Sequence, residues 1–289
     1  MPQSLAAFDG DLDAIVRDGY DIELLDNHDA VVERRSSLVH DDGSVDCHEC
    51  GKNYDNRGVA VHWSTGGCSH PLFTLKQWEI LIGSLMGDAT VDRTNKNPYL
   101  VVYNIQESYL KHIRRQFPLL MRDVSLLQTA EESALESREY GFDSQADPES
   151  YHDMFYLHAR CTPHLEKLEK WYSTGEKVFD KEIKLTSTIL RHWYCQDGGL
   201  CVPNSSGDHN GYCVISSHNE KDNQEEIKRM FSEVGFDVSY PCTEIRISTG
   251  DTERFLEYIG PSPPGFLYKW QHQDYDAYHF AKDWDRGDL

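Results

Sequence analysis

Two apolar segments of the chain each run into an aspartate, which is followed by a small residue and then by a predicted strand. The first segment, residues 81–90, reads LIGSLMGDAT, and the second, residues 189–199, reads ILRHWYCQDGG. The helix dipole disfavours Asp88 and Asp197 at helix C-termini. Two converging carboxylates also repel unless a cation lies between them, and Mg²⁺ prefers oxygen ligands. The pair therefore predicts a site for one or more divalent ions, suited to metal-assisted phosphodiester hydrolysis.

A second group of residues has the spacing of a zinc site. Cys47 and Cys50 form a C-x-x-C pair, and His62 and Cys68 follow after a short segment. Two thiolates, an imidazole and a further thiolate are typical of a closed tetrahedral Zn²⁺ site. His70 is the rival fourth ligand. The alternative interpretation is a redox-exposed or disulfide-forming cysteine pair.

The elements that must position the two aspartates recur along the chain. Thr74 is the expected N-cap of a helix over 73–88, and Gly83 and Gly87 would let a partner backbone approach that helix closely. Residues 131–150 are expected to form an acidic loop. A pattern of helices and strands appears twice, with copies about 110 residues apart. The elements expected after the first helix are 97–105, 107–117, 153–161 and 163–172, followed by 185–197, 199–202, 211–217, 222–234, 242–248 and 251–259.

The charge of the chain argues at first against a nucleic-acid partner. Lys and Arg number 28 and Asp and Glu number 49, for a net charge of −21, whereas nucleic-acid binding normally leaves a basic surface. A surface rich in carboxylates suits very high salt, where local basic patches matter more than the total charge. We therefore expect a halophilic protein; an ordinary acidic cytosolic protein is the alternative.

The chain is expected to be cytoplasmic and not to enter a membrane. No run of about 18 apolar residues is present, and the first residues lack the features of a signal peptide. The expected organisation is an acidic arm over 1–42, a zinc-binding module over 43–72, two halves over 73–175 and 176–265, and a tail over 266–289. An unrelated zinc-containing α+β interaction protein, without internal symmetry, is a further interpretation.

The motifs LIGSLMGDA at 81–89 and LRHWYCQDG at 190–198 resemble those of LAGLIDADG homing endonucleases of the single-chain, two-motif kind. The resemblance covers roughly residues 74–270. It implies an α+β fold of two pseudo-symmetric αββαββα halves, whose antiparallel sheets lie in the DNA major groove. Cleavage across the minor groove would leave short 3′ overhangs. Ala89, in place of the usual glycine, and Gln196, where an acid is common, depart from the family pattern.

The resemblance also implies roles for further residues. Gln106 would order water near the metal, and Lys177 and Lys269 would stabilise charge or position water. Alternate strand residues would face DNA, although register decides which of them do. The candidates for contacting DNA are Arg93, Lys96, Tyr99, Tyr103, His158, Arg160, His209, Tyr212 and Arg246.

The resemblance leaves two functions open. The first is a monomeric, site-specific endonuclease that makes double-strand breaks in DNA with Mg²⁺ or another divalent ion. The second is a non-cleaving protein, either an RNA maturase or a DNA-binding regulator, which would not need both aspartates. In either case the zinc module would extend the DNA footprint or attach the N-terminal arm to the core.

Overall fold

A computed structural model of the chain describes residues 27–94, 97–172, 177–178, 183–201, 211–217 and 223–271. The N-terminal part contains helix α1 (His28–Ser36), strands β1 (Val45–Asp46) and β2 (Asn53–Tyr54), and helix α2 (Gly58–Ser64). None of the helices within these ranges is long and apolar enough to cross a membrane.

Two larger units of the same design follow the N-terminal part. The elements of the first half are α3 (Leu75–Met86), β3 (Thr90–Asp92), β4 (Tyr99–Asn104), α4 (Glu107–Gln116), β5 (Ser125–Gln128), α5 (Ala130–Glu139), β6 (Met154–His158) and 3₁₀ turns at Pro148–Ser150 and Pro163–Tyr172. The elements of the second half are α6 (Ser187–Asp197), β7 (Gly198–Cys201), β8 (Tyr212–Ser216), α7 (Gln224–Glu233), β9 (Val238–Ser239), β10 (Glu244–Ile247), a 3₁₀ turn at Thr249–Asp251, α8 (Thr252–Ile259) and α9 (Leu267–Trp270).

The two four-stranded sheets have the same topology. The strand order is β3-β4-β6-β5 in the first half and β7-β8-β10-β9 in the second, and all pairs are antiparallel. In each half the second strand therefore lies between the first and the last, and the first and third strands form the two edges. This correspondence confirms the predicted α+β fold of two pseudo-symmetric halves.

Helices α3 and α6 form the interface between the halves. A β-carbon on Gly83 would lie 2.4 Å from the Ile189 carbonyl oxygen and 2.9 Å from Cβ of His192. Only glycine allows this approach, because a methyl group there would force the helices apart. The close contact brings the C-terminal ends of both helices, and hence Asp88 and Asp197, to one place.

Side-chain caps begin both interface helices. Thr74 and Gln77 form a reciprocal capping box at the start of α3, with each side chain bonded to the other residue's backbone amide. Thr186 accepts a hydrogen bond from the Ile189 amide at the start of α6. These caps satisfy backbone amides that have no partner within the helix, and the predicted N-cap at Thr74 is confirmed.

The expectation of an acidic loop over 131–150 is wrong for its first part. Residues Ala130–Glu139 form α5, which begins with a capping box between Thr129 and Glu132. The segment has little apolar periodicity and buries only Ala134, so the pattern used to predict helices was weak here. The cap and the favourable placement of acids in the first turn support the helix instead.

The N-terminal module is docked on the first half. Leu119 of the first half packs with Val45, Val59 and Trp63 in a small core that is separate from the main one. Helix α1 is attached as well, because His28 Nδ1 lies 2.7 Å from Thr74 Oγ1, within hydrogen-bond distance. These contacts join α1, the module and the first half.

Arg160 lies at this junction, which corrects its predicted role in binding DNA. Its side chain is only 4% exposed, and its guanidinium donates to the Leu119 carbonyl at 2.6 Å and to Oδ1 of Asn56 at 2.7 Å. Burial, with repulsion from Arg122 and Arg114, lowers the pKa of Arg160 to about 10, so it stays charged at neutral pH. The side chain therefore fastens the module to the first half rather than facing a groove.

Replacing Arg160 with methionine is expected to lower the free energy of unfolding by about 2–4 kcal/mol, because charged hydrogen bonds are lost and buried acceptors stay unpaired. Urea unfolding measures this change. Arg115→Met at an exposed position of α4 is the matched control, with an expected change within about 0.5 kcal/mol. Unchanged stability of Arg160→Met together with weaker DNA binding would contradict the structural role.

Candidate active site and zinc cluster

The carboxyl groups of Asp88 and Asp197 lie close together at the end of the helix interface, where each influences the pKa of the other. Asp88 is exposed and Asp197 is half-buried, so water and ions can reach both groups. The aspartates come from opposite halves of the chain, and the pseudo-symmetry of the fold brings them together.

The protein around the two aspartates disfavours their charged forms. Although Asp88 is open to solvent on one side, the protein packed around its carboxyl group removes part of its hydration and raises its pKa. Burial and then repulsion from Asp88 raise the pKa of Asp197 to about 7. A cation bound between two adjacent carboxyls would stabilise their ionised forms and offset their mutual repulsion. Oxygen ligands of this kind fit a divalent ion such as Mg²⁺.

Lys177 and Lys269 supply part of that positive charge and occupy corresponding places in the two halves. Lys177 Nζ donates to the carbonyls of Gly87 and Ala89, the latter at 3.3 Å. Lys269 Nζ donates to the Cys195 carbonyl at 2.7 Å. Each lysine thus binds the C-terminal end of one interface helix, and both oppose the rise in the pKa of the two aspartates.

A pocket of about 380 Å³ adjoins Asp88. Its lining residues come from both halves: Asp88, Tyr103, Asn104, Ile105, Met154, Cys195, Gln196, Phe266, Tyr268 and Lys269. Gln106 is not among them. It is buried at the N-terminal boundary of α4 and lies against Gly265. Asn104, which sequence reasoning missed, lines the pocket. Its Oδ1 accepts a hydrogen bond from the backbone amide of Gln106 at 2.8 Å.

The outward faces of the two sheets carry most of the remaining candidates for contacting DNA. Cross-strand pairing puts Val101 opposite His158 and Tyr103 opposite Tyr156. Because side chains alternate along a strand, Tyr99 and Tyr103 share this face with His158. In the second half the guanidinium of Arg246 lies 3.6 Å from the centre of the Tyr212 ring.

The other two sequence candidates in strand-flanking segments are Lys96 and His209, which fall outside the described residues. Arg93 is exposed just beyond the end of β3. The structure therefore leaves these residues at least partly exposed to solvent, and their contact with DNA stays a prediction: Arg93, Tyr99, Tyr103, His158, Tyr212 and Arg246.

The predicted cysteine and histidine cluster is confirmed as a cluster. The ligand atoms of Cys47, Cys50, His62 and Cys68 all lie within 4.8 Å of one another. The spacing suits a tetrahedral Zn²⁺ site, in which sulfur ligands at about 2.3 Å from the metal stand about 3.8 Å apart. His62 Nε2 points towards Cys50 Sγ, and the other ring nitrogen lies 3.1 Å from the Tyr54 hydroxyl. Such a second partner orients a metal-binding imidazole.

Cys68, rather than its rival His70, completes this cluster. His70 is buried in the contact between the module and the first half, where Nε2 lies 3.3 Å from Ser64 Oγ and its carbonyl oxygen lies 3.4 Å from Nε2 of His164. Its ring also lies close to the rings of Trp63 and His164. The residue therefore has a packing role that its spacing in the sequence did not reveal.

A family match and one solved structure agree with this architecture. Residues 78–241 match the LAGLIDADG DNA endonuclease family. Among solved structures, "The homing endonuclease I-WcaI bound to its DNA recognition sequence" aligns with a TM-score of 0.56 and 19% identity, over 68% of this chain and 87% of that one. The N-terminal LAGLIDADG domain of DUF199/WhiA aligns with a TM-score of 0.39 and 11% identity, over 65% and 82% of the two chains.

A third structure, the LAGLIDADG meganuclease I-AabMI bound to uncleaved DNA, aligns with a TM-score of 0.39 and 9% identity, over 72% of this chain and 98% of that one. No curated protein matches the chain. The fold and site define a two-motif protein in which two helices, each followed by strands of an antiparallel sheet, bring paired carboxylates together. The chain belongs to the LAGLIDADG DNA endonuclease family.

Proposed function

We propose that the protein is a site-specific, homing-type DNA endonuclease that makes double-strand breaks by metal-dependent hydrolysis of phosphodiesters. The observation that carries the proposal is the meeting of Asp88 and Asp197, one from each half, beside two lysines. Since both halves belong to one chain, we propose that it acts as a monomer.

The residues at this site would have different roles in hydrolysis. Asp88 and Asp197 would hold the divalent ion, which when bound would polarise the scissile phosphate and lower the pKa of a water molecule. Lys177 and Lys269 would offset the negative charge that increases on the phosphate in the transition state. Asn104 and Tyr103 line the adjoining pocket, where they could donate hydrogen bonds to a phosphate or to water.

The two outward sheet faces support binding to double-stranded DNA. Their tyrosines, His158 and Arg246 offer hydrogen bonds and stacking surfaces of the kind used in base and phosphate contacts. The I-WcaI structure, whose fold this chain shares, was determined bound to its DNA recognition sequence. A non-cleaving binder of DNA or RNA could use the same faces, but it would need neither the paired aspartates nor the two lysines.

The cysteine cluster supports a structural Zn²⁺ ion. Its three thiols and imidazole form a donor set without a carboxylate or an open position, which is typical of structural rather than catalytic zinc. The ion would hold together a module whose two strands contain only two residues each.

A selection for cleaved sites from a random DNA library, with Mg²⁺ and increasing KCl, tests the proposed function. We expect one extended sequence to be cut and enriched. With a net charge of −21, we expect the optimum near molar KCl, although salt weakens phosphate contacts. Enrichment of bound but uncut DNA or RNA would favour the non-cleaving alternative. No enrichment at any salt concentration would contradict both.

A further inference from the structure

The two helices that carry the aspartates end differently. Helix α3 stops at Met86, and the Gly87 amide bonds the Ser84 carbonyl at 3.1 Å, so Asp88 lies beyond the helix. Helix α6 continues through Asp197, because the next amide, that of Gly198, still bonds the Tyr194 carbonyl. The backbone of Asp197 is therefore held by helical hydrogen bonds, whereas that of Asp88 needs another partner.

Gln196 of the opposite motif supplies this partner. Its Oε1 accepts hydrogen bonds from the backbone amides of Asp88 at 2.6 Å and Ala89 at 3.2 Å. The Ala89 amide also bonds the Ser84 carbonyl at 3.1 Å. Gln196 is thus the acceptor on which the Asp88 amide depends, and it connects residues 108 positions apart in the chain.

The contact depends on the small residue that precedes Asp88. A β-carbon on Gly87 would lie 2.6 Å from Cβ of Gln196 and 2.8 Å from its Oε1, too close for any other residue to fit without displacing the glutamine. The positions directly before the two aspartates are therefore occupied by a glutamine in one motif and a glycine in the other. A reciprocal bond from the first motif to Asp197 cannot form, because glycine has no side chain.

We propose that Gln196 is a positioning residue for Asp88. Because only Asp88 depends on this hydrogen bond, the two carboxylates are structurally inequivalent. Cleavage of one DNA strand therefore depends on the bond more strongly than cleavage of the other strand. The proposal rests on the proposed endonuclease function. The glutamine that stands here, where an acid is common in the family, would thus have a specific role.

Three variants of Gln196 separate the hydrogen bond from simple packing. Gln196→Met keeps the length of the side chain but removes the acceptor. Gln196→Glu keeps an acceptor oxygen at the same position. Gln196→Asn keeps the amide but is one methylene too short to reach Asp88, and it replaces the methionine variant if that variant does not fold.

Hydrogen exchange of the Asp88 amide, measured by NMR on the full chain with zinc but without DNA or Mg²⁺, is the first test. We expect exchange at least about 10-fold faster in Gln196→Met and in Gln196→Asn, because an unbonded amide exchanges freely. Protection in Gln196→Glu should match that of the parent protein. Unchanged protection in Gln196→Met would overturn the proposal whether or not the protein cuts DNA.

Strand-resolved cleavage of a plasmid carrying the selected site is the second test. We expect Gln196→Met to accumulate nicked circles, with one labelled strand slowed at least about 10-fold more than the other, and Gln196→Glu to keep the parental ratio of strand rates. Equal slowing of both strands in Gln196→Met would overturn the proposal. If the parent protein cuts neither strand of any sequence, the proposed function fails, and amide exchange alone decides the role of Gln196.

Discussion

Asp88→Asn and Asp197→Asn should each reduce double-strand cleavage by at least about 10³-fold, which corresponds to about 4 kcal/mol of transition-state stabilisation. Asparagine keeps the size of the side chain but not the charge that a divalent ion requires. The two carboxyls are close enough to influence each other's pKa, so the loss of either charge disrupts the shared site. Binding of DNA should persist, because each change removes a negative charge that would repel phosphates.

Cleavage of supercoiled plasmid by the parent protein and both variants, with affinity measured by gel shift, separates these effects. Asp123→Asn is the matched control. It makes the same change on an exposed aspartate that pairs with Arg114 at 2.7 Å, and it should cut DNA as the parent does. Complete double-strand cutting by either active-site variant would refute the assigned roles. Loss of binding together with cutting would indicate misfolding.

Removal of zinc should unfold residues 43–71 and destabilise the docked helix α1. Without a cation, three closely placed thiols and an imidazole have nothing to bring them together, and the module's own apolar core is small. Metal binding in isolated zinc fingers contributes about 10–16 kcal/mol, and most of that free energy is the free energy of folding. Contacts with Leu119 and Arg160 cannot replace a contribution of this size.

One equivalent of zinc is expected per chain by elemental analysis, and none in Cys50→Ser. After chelation, or in that variant, amide protection should vanish across 43–71 and the melting temperature should fall. Cys242→Ser, at an exposed free cysteine outside the cluster, is the control and should retain the metal. An unchanged melting curve in the presence of a strong chelator would count against the zinc site.

Several features of this protein could be predicted from short segments of its sequence. Thr74 marks a helix start because its hydroxyl bonds an amide three residues away, and the spacing of Cys47 and Cys50 suits one metal ion. The motif ending at Asp88 and its counterpart ending at Asp197 predicted two similar halves, and the shared strand order confirms them. Each of these features depends on neighbours in the sequence, which a single chain displays directly.

Other features follow from contacts between distant segments and were predicted wrongly or not at all. Arg160 was expected to face DNA, but it is buried because the module packs over it. Cys68 and His70 both had suitable spacing, but the path of the chain after α2 places only Cys68 in the cluster and packs His70 against Ser64. Asn104 was not predicted at all, yet it lines the pocket beside Asp88, whereas Gln106 is buried at the start of α4 and its role in ordering water stays a prediction.

The sequence was sufficient to identify two acidic helix ends, one cluster of cysteine and histidine residues and a repeated fold, since periodicity and spacing are properties of neighbouring residues. Folding in three dimensions decided which side chains meet. The bond from Gln196 to the Asp88 amide joins residues 108 positions apart. It arises from the close approach of two helices at Gly83 and Gly87, and no pattern within either segment contains the distance between them.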